Sequence, residues 1–105
     1  MAVPLYRQVL AIGLAEDRRR PAVIELARSL RHVGQASESV TLLMAEREKT
    51  SDDLDDAVHA FLALALGDAG REREAVSVTL TALTRHMTRY KRCLANYAEL
   101  LIEKN

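Results

Sequence analysis

The fold is decided by two variants of one pattern, Leu26–Val40 with the sequence LARSLRHVGQASESV and Leu62–Val76 with the sequence LALALGDAGREREAV. They place Gly34 and Gly70 at matching points, 36 residues apart. In each stretch a Leu-Ala pair opens a run with helical apolar spacing, which ends at the glycine before a second helix-forming segment. Glycine adopts the left-handed conformation that ends a helix, so each stretch predicts a helix, a tight turn and a second helix.

A partial third copy of the pattern precedes these two. Ala2-Val3 aligns with Ser39-Val40, which lies 37 residues later, and Ser39-Val40 aligns with Ala75-Val76, a further 36 residues on. A fixed period of about 20 to 50 residues is the signature of repeat architectures. We therefore expect one domain over 1–105 that contains a partial repeat at 1–14, repeats at 18–50 and 53–85, and a C-terminal helix at 88–104.

The composition favours an all-helical chain of 105 residues, because only 4% of them are aromatic and Ala, Leu, Arg and Glu dominate. Ser37 is the expected N-cap of the third helix, Pro21 is expected in the first turn of the second, and the fourth helix should be the most buried. Apolar residues recur at helical spacing in the fifth helix, Ala75, Val76, Leu80 and Leu83, and form one stripe on the sixth, Leu94, Tyr97, Ala98 and Leu101. The six predicted helices run over 3–12, from just after 17 to 34, and over 37–48, 53–69, 72–84 and 89–103.

Charge is balanced overall but segregated along the chain. Fifteen basic and fifteen acidic residues give a net charge of zero, which does not favour a strongly cationic nucleic-acid or membrane-surface protein. The basic segment, 85–92, carries four cations and no acid, whereas 46–56 has a net charge of −4. Nucleic-acid association through the basic segment is the alternative functional hypothesis. The balanced charge favours instead that the two patches help copies of the domain to pack or associate, or are solvated faces.

Catalytic and metal sites are not indicated. His32, His59 and His86 are spaced 27 residues apart, and none is followed three or four residues later by an acidic residue, a Cys or another His. Cys93 is the only cysteine, so it cannot form an internal disulfide, and its apolar helical surroundings predict a buried, inert thiol. We expect a cytoplasmic, non-enzymatic protein with no cofactor, no metal, no signal peptide and no membrane-spanning segment.

The repeated unit resembles the tetratricopeptide repeat, a helix-turn-helix with a period of about 34 residues. The likeness covers nearly the whole chain, although the family's Trp is absent. More narrowly, the segments 3–6, 16–20, 60–66 and 70–75 resemble a bacterial group of short domains of this family with no defined role. The resemblance implies antiparallel helix pairs stacked as a right-handed solenoid, and a module that binds a protein segment or associates with itself.

In this family the first helices of the pairs line a concave face, and the resemblance places a candidate groove there. Arg28 and Arg31 are three residues apart and therefore share a helix face, where they could receive an acidic or C-terminal carboxylate. They could instead be solvated cations near a helix end. The candidate groove residues are Arg28, Arg31, His32, Phe61, Leu64, Lys91, Arg92 and Asn96.

The first predicted helix corresponds to the second half of a repeat, so its partner helix is absent. Its apolar residues would then either cap the following helices or be covered by another chain, which makes a homodimer a second expectation. The candidate self-association residues are Val3, Tyr6, Val9 and Leu10.

Overall fold

The computed structural model describes Arg7 and residues 16–103. These residues form five helices and no strand, which confirms the all-helical prediction: α1 Glu16–His32, α2 Ala36–Lys49, α3 Asp55–Asp68, α4 Glu72–Thr84 and α5 Lys91–Ile102. They are the second to sixth predicted helices. The first predicted helix lies outside the described residues apart from Arg7, which forms an ion pair with Glu38 at the start of α2.

Two glycine turns join the helices of the first pair, α1 and α2, and of the second pair, α3 and α4. Gly34 and Gly70 have φ angles of 83° and 79°, the left-handed conformation that the sequence predicts. The amide of Gln35 donates to the Leu30 carbonyl at 2.8 Å, and the amide of Arg71 donates to the Leu66 carbonyl at 2.8 Å. Each turn is therefore a Schellman motif, and the two motifs are repeated 36 residues apart.

Two predictions about helix starts are wrong. The N-cap of α2 is Gln35 rather than Ser37, because the Schellman motif fixes where the chain turns into the next helix. Pro21 lies inside α1 rather than in its first turn, since the helix begins at Glu16. Proline has no amide hydrogen, so α1 lacks one backbone hydrogen bond to the carbonyl four residues earlier.

The core lies around α3, as predicted for the fourth helix of the sequence. This helix packs against α1, α2 and α4, whereas α1 packs only against α2 and α3 among the described helices. The arrangement is a tetratricopeptide-like helical solenoid. Its main core cluster consists of Ile24, Ala27, Val40, Leu43, Val58, Leu62, Ala65, Leu66 and Val78.

The last helix, α5, departs from the packing of the earlier ones. Ser77 donates to the Ala98 carbonyl at 2.7 Å and Arg73 donates to the Leu101 carbonyl at 3.0 Å, so α5 runs antiparallel to α4. Although α3 contacts α1, no Cα atom of α5 comes within 8 Å of one in α3, both helices being described in full. The stack therefore has an open side beside α3 and α4.

This open side leaves predicted apolar faces uncovered, and the prediction that Cys93 is buried is wrong. Val76 and Leu83 on α4 and Tyr97 on α5 are exposed, because α5 packs on α4 alone among the described helices and leaves these faces uncovered. Cys93 is likewise exposed rather than buried. These side chains follow the helical spacing that the sequence predicts, but no helix within the described residues covers their face.

A buried ion cluster fixes the first pair to α3. Arg20 is only 3% exposed and contacts Asp52, Asp55 and Glu46, with 2.7 Å to Asp55 and a 3.1 Å bond to the Thr50 carbonyl. Hydrogen bonds from the Ser51 hydroxyl, the Asp52 amide and Arg20 hold the pKa of Asp55 well below its usual range. The cluster joins α1 to the end of α2 and the start of α3.

Candidate interaction surfaces

The first surface is a small cleft between α1 and α3, which brings together four of the predicted groove residues. We call it the α1–α3 cleft. The Arg28 guanidinium lies 5.4 Å from the centre of the Phe61 ring, a cation–π geometry. The cleft is lined by Ala27, Arg28, Arg31, His32, Ser39 and Phe61.

The two arginines of this cleft already have acidic partners. Arg28 lies 3.0 Å from both carboxylate oxygens of Glu25, and Arg31 Nε lies 2.6 Å from Asp68. These groups are partly exposed, so their ion pairs contribute little stability and can exchange. A bound carboxylate would nevertheless have to compete with Glu25 and Asp68.

The other predicted groove residues lie elsewhere. Lys91 is exposed at the start of α5, and Arg92 and Asn96 line a shallow depression on α5. No Cα atom of α5 comes within 8 Å of one in α1, so these residues do not join the cleft. Leu64 lies on a third surface. The structure therefore distributes the predicted residues over three places.

The third surface is an apolar groove between α3 and α4, which we call the open groove. At one end Leu83 continues the groove toward His86, which follows α4, and toward Asp56 in the first turn of α3. Its walls offer methyl, isopropyl and isobutyl groups, and the Thr79 hydroxyl already donates to the Ala75 carbonyl at 2.9 Å, so the groove favours an apolar side of a partner. The groove is lined by Ala60, Ala63, Leu64, Ala75, Val76, Thr79 and Leu80.

Comparison with the first pair shows what such a groove holds. Val40 and Val76 are the same residue 36 positions apart, yet they are 2% and 49% exposed. Ile24 and Leu43, which correspond to Ala60 and Thr79, are buried in the core with residues of α3. In the first pair the equivalent groove is therefore filled by the next helix of the stack, whereas in the second pair it is open.

The depression on α5 that Arg92 and Asn96 line also contains an apolar row, which we call the α5 stripe: Cys93, Tyr97 and Leu100. Tyr97 is 57% and Leu100 is 55% exposed. Their spacing of i, i+4 and i+7 places them on one helix face. Leu94, Ala98 and Leu101 lie on the adjoining face, where Ala98 is buried against α4.

The basic segment is partly neutralised by the acidic stretch. Arg85 lies 2.8 Å from one carboxylate oxygen of Asp56, and His86 Nε2 lies 2.8 Å from the other. His86, and after it Arg85, lowers the pKa of Asp56. The two charged patches therefore meet where α4 ends beside the start of α3.

Other predicted sites can be located only within the described part of the chain. Val3, Tyr6, Val9 and Leu10 lie outside it. Between 16 and 103, no group of three His, Cys, Asp or Glu side chains is arranged to hold a metal ion. No helix in the same range is long and apolar enough to span a membrane.

Sequence reasoning missed both the buried ion cluster and the open groove. The ion partners of Arg20 are 26 to 35 residues away and leave no local pattern. The groove does have a signal, since large Ile24 and Leu43 are replaced by smaller Ala60 and Thr79 at the corresponding positions. That replacement widens the space between α3 and α4.

Comparison with known proteins agrees with the repeated geometry. The family model described as tetratrico peptide repeat matches residues 1–101. No curated protein and no solved structure matched the chain. The chain therefore belongs to the tetratricopeptide repeat family, whose members are generally scaffolds for protein interactions and typically not enzymes.

Proposed function

We propose that this chain is a non-enzymatic interaction module that binds a helical protein segment, or a second copy of itself, through the open groove. The observation that carries the proposal is the contrast between buried Val40 and exposed Val76 at corresponding positions. The groove of the first pair holds a helix, and the open groove of the second pair has the same architecture, so it can hold a helix of a partner. The proposal keeps the cytoplasmic location expected from the sequence.

The chemistry of the surfaces favours an amphipathic helix over a carboxylate as the ligand. The open groove is almost wholly apolar, whereas the cations of the α1–α3 cleft are engaged by Glu25 and Asp68. Removing apolar surface from water stabilises a complex by about 25 cal/mol per Å² before the costs of ordering. The α1–α3 cleft, with Arg28, Arg31, His32 and Phe61, is proposed as an auxiliary contact for polar residues of the partner.

A peptide-display selection tests this function without a known partner. A library of random peptides of about 16 residues, long enough for four helical turns, would be selected on the intact chain. We expect enriched sequences with apolar residues at i, i+3 or i+4, and i+7, and binding should fall at least about tenfold in Val76→Glu.

Two matched variants show which surface the peptides use. Val33→Glu places the same charge on an exposed valine of the α1–α2 turn, and should bind like the wild type. Arg28→Glu/Arg31→Glu should reduce binding only of peptides that carry acids beside the apolar row. Enriched peptides without helical spacing, or unaffected by Val76→Glu, would contradict the proposal.

The alternative, nucleic-acid association through the basic segment, is not favoured by the geometry. Arg85 and His86 are engaged by Asp56, and the Arg89 guanidinium lies 5.5 Å from the centre of the Tyr90 ring. A gel shift at low salt, where phosphate contacts are strongest, tests it directly. Binding that weakens steeply with added salt would favour the alternative.

A further inference from the structure

We propose that α5 has two positions on the rest of the chain: an outer position, which the structure shows, and an inner position, in which it fills the open groove and excludes a partner helix. The inference rests on the proposed function, because it states how access to the open groove is regulated. The first helix pair supplies the template, since α3 already fills the equivalent groove there.

The chain has the length and the register that the inner position needs. α5 begins at Lys91, which lies 36 residues after Asp55, where α3 begins. The same period separates the two glycine turns, so the segment between turn and helix contains no insertion or deletion in the second pair. Residues of α3 and α5 therefore correspond as follows: Val58 to Leu94, Leu62 to Ala98 and Ala65 to Leu101.

In the outer position, α5 is displaced around α4 relative to that template. Ser77 is buried beneath α5 and only 6% exposed, whereas Thr41, its counterpart on α2, is exposed. The preceding residues show the opposite burial, because Val76 is exposed and Val40 is buried. Adjacent helix residues differ by about 100°, so α5 lies about 100° further around α4 than α3 lies around α2. A movement of that size would take α5 into the open groove.

The contacts that hold α5 in the outer position are few and polar. Ser77 and Arg73 donate to the carbonyls of Ala98 and Leu101, and Ala98 is the one buried residue of this fully described helix. Tyr90, which precedes α5, has a φ angle of 63°, a left-handed conformation that is unfavourable for a residue with a Cβ atom. A different backbone conformation at Tyr90 would reorient α5 and remove this strain.

Side-chain sizes in the groove and on α5 are complementary. The groove is wider than its counterpart in the first pair because Ala60 and Thr79 are small. Leu94 and Leu101 are larger than their counterparts on α3, although Ala98 is smaller than Leu62. α5 therefore supplies bulk at two of three positions where the groove has lost it.

The template also pairs two side chains that are exposed in the outer position. Arg28 lies 5.4 Å from the centre of the Phe61 ring in the first pair. The corresponding residues are Leu64 and Tyr97, which are 47% and 57% exposed. In the inner position they would cover each other and remove apolar surface from water.

An ion pair of the first pair has a counterpart with reversed signs. Arg20 lies 2.7 Å from Asp55, and the corresponding residues are Asp56 and Lys91. Lys91 forms no ion pair within the described residues. Asp56 accepts bonds from two exposed basic side chains that follow α4, but a carboxylate has room for a further donor. The inner position would therefore give Lys91 an acidic partner.

A partner helix and the inner position of α5 exclude each other, because both fill the open groove. The apparent affinity for a partner is then the intrinsic affinity multiplied by the fraction of chains in the outer position. Conversely, a bound partner helix should hold α5 in the outer position.

Crosslinking of the full chain tests the inner position. Leu64→Cys/Tyr97→Cys, combined with Cys93→Ser, places thiols at positions that meet in the inner position, whereas no Cα atoms of α3 and α5 lie within 8 Å in the outer one. A short bis-maleimide should join them within one chain, and electrophoresis and peptide mass measure the product. In the control, Val33→Cys on the α1–α2 turn replaces Leu64→Cys, and no such product should form.

Further variants show whether the crosslink reports entry of α5 into the groove. Ala60→Phe fills the groove and should slow crosslinking at least about tenfold. Lys91→Glu should slow it at least about threefold, whereas Arg92→Glu, the same change of charge one residue later, should not. Ser77→Ala removes a bond of the outer position and should speed crosslinking about threefold. Circular dichroism checks that the helices remain.

Three results would overturn the two positions: crosslinking no faster than in the Val33→Cys control, crosslinking that Ala60→Phe leaves unchanged, or a crosslinked chain that binds the selected peptides as tightly as the open one. None of them affects the peptide selection. Helical peptides that bind wild type but not Val76→Glu would then show a groove that α5 does not regulate. Crosslinking without any selected peptide would instead support the inner position and remove the proposed function.

Discussion

The first and second helix pairs share a turn, a period and several residues, but differ in what covers them. Both turns use a left-handed glycine and the same two backbone hydrogen bonds. The face made by Val40 is sealed by α3, whereas the face made by Val76 remains in contact with solvent. Local sequence therefore sets each pair, and the placement of the following helix decides whether a shared apolar face becomes core or surface.

The ion cluster sharpens this difference, because Arg20 occurs only in the first pair; Asp56 occupies the corresponding position of the second. Arg20→Met should lower the free energy of unfolding by about 3 to 5 kcal/mol, since it removes the buried cation that Asp52, Asp55 and Glu46 share. Glu46 keeps its ion pair with Arg19. Urea denaturation measures the change. The control, Arg85→Met, removes an exposed arginine and should lower the free energy of unfolding by less than about 1 kcal/mol. Equal losses in the two variants would mean that burial of the arginine does not determine how much its ion pairs stabilise the fold.

Asp55 gives the same cluster a pH signature. Its pKa is lowered by the hydrogen bonds from Ser51, the Asp52 amide and Arg20. The ionised carboxylate therefore contributes its full stabilisation at any pH above the unfolded-state pKa of about 4. The contribution is lost as the pH falls from there toward the lowered value. Asp55→Asn should cost less than Arg20→Met at neutral pH, and its difference from the wild type should shrink on acidification. A difference independent of pH would exclude this role.

The valine pair tests the comparison directly. Val40→Ala removes buried methyl groups and should cost about 2 kcal/mol, because the surrounding core cannot fully collapse. Val76→Ala should cost less than about 0.5 kcal/mol in the monomer, since its side chain is half exposed. Denaturation at low concentration measures both. Similar losses would show that the second groove is covered in solution.

The glycines provide the smallest effects. Gly70→Ala forces alanine into φ = 79° and should cost about 1 kcal/mol, although its added Cβ would meet no atom within 4 Å. Gly67→Ala, inside α3 and equally uncrowded, should instead stabilise by about 0.5 to 1 kcal/mol. If thermal denaturation shows that Gly70→Ala is less stable and Gly67→Ala more stable than the wild type, backbone conformation alone accounts for the difference. A Gly70→Ala variant as stable as the wild type would contradict this explanation.

Much of this fold follows from local sequence. The helices, the glycine turns and the buried faces of α1 and α2 follow from apolar spacing and from residues that end helices. The position of α5 does not, because Leu94, Ala98 and Leu101 specify a buried face without specifying which neighbours it meets. For the same reason, the predicted groove residues on α1 and α5 do not come together. The division into repeats at 1–14, 18–50 and 53–85 stays a prediction.

Among the described helices α5 contacts α4 alone, and this bears on the cooperativity of unfolding. In a linear stack, stability is close to a sum of helix and interface contributions, so an element that shares one interface can detach at the cost of that interface alone. Detachment of α3 would break its contacts with α1, α2 and α4 together. Amide hydrogens of α5 should thus exchange through a local opening that leaves the rest folded, whereas those of α3 should report global unfolding.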